Sequence, residues 1–87
     1  MDIQMIVTGR GFLRGDFLDL YDMPCSIQES SLATDNAIWL GADEPTVTGD
    51  GTILARMHLN QEQVAALIPL LQHFVTTGGL PTPSEAV

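Results

Sequence analysis

The chain contains no lysine. Histidines aside, its basic side chains are Arg10, Arg14 and Arg56, against eleven acids, for a formal net charge of −8. Such a chain is repelled by duplex phosphate and lacks the basic stripe that general nucleic-acid binding requires. Anionic membrane surfaces repel it for the same reason. The acid excess serves solubility, or contact with a basic surface on another protein. A single cysteine, Cys25, excludes an intramolecular disulfide. A secreted domain of this size would usually need such staples, so the expected compartment is a reducing cytosol. The opening MDIQMIVTGRG has no basic segment followed by an apolar one, and no signal peptide is expected. The longest apolar stretch, Val64 to Val75, is interrupted by Pro69, Gln72 and His73 and is too short to span a bilayer.

What the chain does have is enough apolar side chain, 45% of its 87 residues, to build one core. A domain this short is marginal as a monomer, which places a homodimer among the expectations.

Residues 3 to 8 alternate and carry β-branched residues, reading as a first strand; residues 12 to 20 read as a second, with Gly15 as a candidate bulge. Tyr21 to Pro24 is turn chemistry, with Asp22 able to bond its own backbone. Residues 25 to 31, CSIQESS, form an unusually polar third strand. Alternation puts Cys25, Ile27, Glu29 and Ser31 on one side and Ser26, Gln28 and Ser30 on the other. AIWLG around Trp39 is a compact apolar strand, Thr48 to Gly51 a hairpin turn, and Thr52 to Leu59 a returning strand. A helix is expected over residues 61 to 77: Asn60 caps it, Gln63 completes a capping box, and Gly78 stops it. Val64, Leu67, Ile68, Leu71, Phe74 and Val75 make its apolar face. Pro69 should kink the helix or mark its solvent side. The expected fold is α+β, an antiparallel sheet of four to five strands with one C-terminal amphipathic helix on one face. Residues 1–78 form the domain and 79–87 a flexible tail.

No catalytic pattern survives inspection. The glycines of Gly9 to Gly15 lack the dinucleotide-loop spacing and are followed by a strand rather than a helix. Arg14-Gly15-Asp16 spells an adhesion tripeptide but falls within a strand. Cys25 follows a proline at a strand start, with no feature to activate the thiol. His58 and His73 lack the close spacing of zinc ligands, and Ser30 and Ser31 lack a nucleophile elbow. The expectation is a protein without catalytic residues, metal or cofactor.

A binding surface remains. Arg14, Arg56 and His58 are cations or near-cations on or beside strands; Ser26, Gln28, Ser30, Ser31 and Trp39 are neutral hydrogen-bonding or stacking groups. Together they can hold a partner, or a small anionic ligand with arginines on phosphate and Trp39 stacked on a base. Against this, Ile38 and Leu40 make the strand apolar on both faces, which favours Trp39 in the core. A neutral polar row such as Ser26, Gln28 and Ser30 suits an interface.

The segments FLDLYD, CSIQESSLATDNAIWLG and ARMHLNQEQVAALIPLLQHFVTTGGL together resemble a family of small proteins common in tailed-phage and prophage genomes. The resemblance covers roughly residues 10 to 80. Many members of that family carry a longer stretch where this chain has the short hairpin from Ala42 to Ala55. The resemblance implies a phage accessory protein acting in the bacterial cytosol. The leading expectation is a non-enzymatic inhibitor that binds a host defence protein as a homodimer. The alternatives are a sponge for a small nucleotide signal and a phage structural or assembly protein.

Overall fold

A computed structural model describes residues 3–31 and 34–83. It is an α+β fold. Strands β1 (Gln4–Val7), β2 (Leu13–Leu18), β3 (Pro24–Glu29) and β4 (Ile38–Ala42) form an antiparallel sheet in chain order. A separate hairpin follows, β5 (Thr46–Val47) with β6 (Ile53–Leu54), and then the helix α1 (Gln61–Thr77). The returning strand expected from Thr52 to Leu59 is only β6. Residues 55 to 60 are irregular because they must climb from the hairpin back to the helix, and on the way His58 pairs with Leu20, whose N–H donates to the His58 carbonyl at 2.8 Å.

Register assigns the faces. Met5, Gly15, Ile27 and Leu40 lie in one cross-strand row on the covered side. Ile6, Arg14, Gln28 and Trp39 form the matching row on the opposite side. Cys25 and Ile27 are fully buried and pack with Met5, Phe17, Leu67, Leu70 and Leu80. Gly15 makes no bulge: pairing runs unbroken through it on both sides. Its lack of a side chain admits Ile3 and Met5 above it, since a Cβ would fall 2.6 Å from Ile3 Cγ2.

The helix begins as its caps dictate. Asn60 Oδ1 accepts from the Gln63 N–H and Gln63 Oε1 accepts from the Asn60 N–H, each at 2.8 Å. Gly78 ends it in the left-handed conformation at φ 82°, its N–H donating to the Phe74 carbonyl. Pro69 lies on the solvent side. The apolar face divides differently from expectation: Leu67 and Leu70 are buried with Gln63, while Val64, Ile68 and Val75 are exposed. The sheet accommodates only part of a wide apolar sector.

Nor does a flexible tail begin at residue 79. Leu80 is buried in the core and Pro81 beside it, and the Leu80 N–H donates to Glu29 Oε2 at 3.1 Å. The other oxygen, Oε1, accepts from the Leu13 N–H at 2.9 Å. Glu29 thus stands on the core-side parity of β3 because its carboxylate joins two distant backbone segments. Residues 84–87 of the expected tail lie outside the described residues.

Asp19, just after β2, does similar work in the place expected of Asp22. It is 3% exposed, and its Oδ1 accepts from the Tyr21 and Met23 N–H groups at 2.8 and 3.0 Å, its Oδ2 from the His58 N–H at 3.1 Å. Burial pushes its pKa up. The three N–H donors and nearby His58 outweigh that and hold it below the ordinary aspartate value of 3.8. A depressed folded pKa adds stability above that value, lost as pH falls through the folded pKa. Asp19→Asn is therefore expected to lower the thermal midpoint at neutral pH, with the gap to wild type narrowing from about pH 4 downward. A gap that stays constant down to about pH 2 in thermal melts refutes a charge origin.

Candidate functional site

One side of the sheet carries the helix; the other is open. On the open side Ile6 is 48%, Leu18 51% and Trp39 65% exposed. Trp39 is therefore surface, not core. Alternation along β4 aims Ile38 and Leu40 at the covered side, and the pairing Gln28↔Trp39 fixes the indole beside the polar row of β3.

Four of the expected site residues meet here. Arg14 Nε donates to Asp16 Oδ1 at 2.9 Å, Nη1 to Gln28 Oε1 at 3.2 Å, and Nη2 to Asp43 Oδ2 at 3.3 Å. Ser26 Oγ donates to the other Asp43 oxygen at 2.6 Å. The Asp16 hydrogen bond is the largest influence raising the guanidinium pKa; burial opposes it, and the Asp16 and Asp43 charges add to the rise. The network fixes Arg14 on the open face, in the same cross-strand row as Trp39 with Gln28 between them, and Ser26 is only 8% exposed although it sits on that side. Sequence reasoning missed Asp16 and Asp43. Asp16 carried a signal, since it shares strand parity with Arg14; Asp43 arrives from the end of β4 and carried none.

Two hollows flank the Arg14–Trp39 ridge. One, of about 420 Å³, runs along Ser26, Gly41, Ala42 and Asp43. The other, of about 430 Å³, is bordered by Arg10, Phe12, Gln28, Ser30 and Ser31. Arg10 makes no ion pair among the described residues. The structure thus brings together Arg14, Ser26, Gln28, Ser30, Ser31 and Trp39. It does not bring Arg56 or His58, neither of which borders these hollows. The His58 ring instead meets Tyr21 edge to face at 5.0 Å.

The thiol of Cys25 is buried, and burial is the main cause raising its pKa, with the Asp19 and Asp43 charges adding to it. Among the described residues no cluster of three or more His, Cys, Asp or Glu is placed to hold a metal ion. No helix among them is long and apolar enough to cross a membrane. No protein-family model, curated protein or solved structure matches the chain.

Proposed function

We propose that the open sheet face is a protein-docking surface anchored by Trp39, and that the chain is a non-enzymatic phage-type accessory protein acting in the host cytosol. In this reading it binds and inhibits a host defence protein, as a homodimer. The observation that carries the docking surface is an indole 65% exposed beside an arginine already immobilised by Asp16 and Asp43. Tryptophan and arginine dominate binding energy in protein interfaces, and a preordered arginine loses little freedom on binding. Two carboxylates on Arg14 also disfavour it as a phosphate grip. A partner with a basic rim fits the net charge of −8. The accessory and inhibitory roles rest on the resemblance of the CSIQESS, IWLG and RMHL segments.

Wild-type protein immobilised in bacterial lysate should retain a discrete partner, and Trp39→Ala should weaken that affinity by about 30-fold or more. The circular dichroism spectrum should be unchanged, because the indole is outside the core. Equal retention by both proteins overturns the reading.

One observation favours a second reading, a sponge for a small anionic nucleotide. Arg10, free of ion pairs among the described residues, shares a hollow of ligand size with Trp39 and Ser31. A thermal-shift screen of nucleotides without stabilisation removes it.

A further inference from the structure

The helix carries two apolar stripes, and the sheet uses one. At about 100° per residue, Gln63, Leu67, Leu70 and Phe74 form the stripe turned to the core. Val64, Ile68, Leu71 and Val75 form a second, about a quarter turn away. Leu71 is half-buried, while Val64 is 43%, Ile68 56% and Val75 77% exposed. Their separations of four, three and four residues are those of the a and d positions in a helix–helix seam.

Charge identifies what covers it. From Gln63 to Pro83 the chain has no Asp, Glu, Lys or Arg, and Glu62 is the one charged residue in α1. Two copies of a chain of net charge −8 repel wherever their acids meet. Several other exposed apolar groups stand among acids: Val47 and Ile53 of the hairpin follow Asp43 and Glu44 and flank Asp50, and Leu18 and Trp39 share the open face with Asp16 and Asp43. The second stripe lets two copies join without opposing carboxylates.

The geometry points to a homodimer in which two α1 helices pack side by side and antiparallel through Val64, Ile68, Leu71 and Val75. A parallel pair would align the helix dipoles unfavourably. The antiparallel pair sets Val64 against Val75 of the partner subunit, and Ile68 against Leu71 of the partner subunit. This locates the homodimer of the proposed function, and its test reads self-association alone, so loss of target capture leaves it standing.

Sedimentation equilibrium of the full chain from about 1 to 200 μM brackets the micromolar dissociation constant that so small an interface supports. Wild type should be dimeric at the upper end. Ile68→Glu and Val64→Glu should each raise the dissociation constant about 100-fold with an unchanged circular dichroism spectrum. Mixing Val64→Glu with Val75→Lys should restore a one-to-one dimer, because the antiparallel seam opposes those positions. A wild type monomeric throughout, a dimer indifferent to Ile68→Glu, or a dimer abolished by Trp39→Ala overturns the proposal. Failure of the mixture to dimerise overturns the antiparallel arrangement.

Discussion

Ile27→Ala is expected to cost about 3–4 kcal/mol, the range for removing most of a large aliphatic side chain from a well-packed interior. Ile27 is fully buried in β3, one of the two central strands, with Gly15 on one side of its row and Leu40 on the other. It belongs to the same core cluster as Leu67 and Leu70 of the helix. A cavity there touches both layers, and the seven buried apolar side chains among the described residues leave little to collapse into it. Domains of this length have a total stability of about 4–13 kcal/mol, so the variant approaches the edge of folding. The thermal midpoint should fall by roughly 15–25 °C. Urea unfolding followed by far-ultraviolet circular dichroism measures the loss. Trp39 fluorescence is a poor probe because the indole is largely solvated in the folded state. A loss below about 1 kcal/mol contradicts the placement of Ile27 at the centre of the core.

The second large effect lies one strand away. A Cβ on Gly15 would come 2.6 Å from Ile3 Cγ2 and 2.9 Å from Met5 Sδ, closer than carbon atoms tolerate. Gly15→Val is expected to cost about 2–3 kcal/mol through overpacking. The milder Gly15→Ala isolates the cause. If the clash with Ile3 is responsible, Ile3→Ala should offset it, and the double variant should be more stable than the sum of single effects allows by about 1 kcal/mol. Strict additivity in a denaturation cycle argues that the cost is not steric. Wild-type-like stability of Gly15→Val contradicts the close approach itself.

These residues also show where sequence reading stops. The strands were legible because alternation and turn chemistry are local, and the helix because Asn60, Gln63 and Gly78 act within a few residues of one another. Trp39 was not placed, since a strand apolar on both parities does not say which side the helix takes; that is decided by pairing with Gln28. The wide apolar sector of α1 was visible, but its division between Leu67 and Ile68 depends on how the helix rolls onto the sheet. Six residues of the site, Arg14, Ser26, Gln28, Ser30, Ser31 and Trp39, came from residue type. Asp43 joins them from a later segment, and Arg56 and His58 fell away because the last expected strand is short. Asp19 and Glu29 looked like ordinary surface acids. Their partners stand up to 39 and 51 residues away, beyond any local pattern.

The Glu29 clamp gives the fold an order in time. Each strand of the main sheet pairs with its sequence neighbour, so the sheet closes through short loops at small entropic cost. The Leu80–Glu29 bond spans 51 residues and forms only after the helix has crossed the sheet. Until then that carboxylate oxygen is held by water, and Met5, Phe17 and Ile27 on the same side stay open to solvent. The exposed apolar row makes the bare sheet a poor resting state, and docking of the helix and the segment behind it becomes the step that commits the chain.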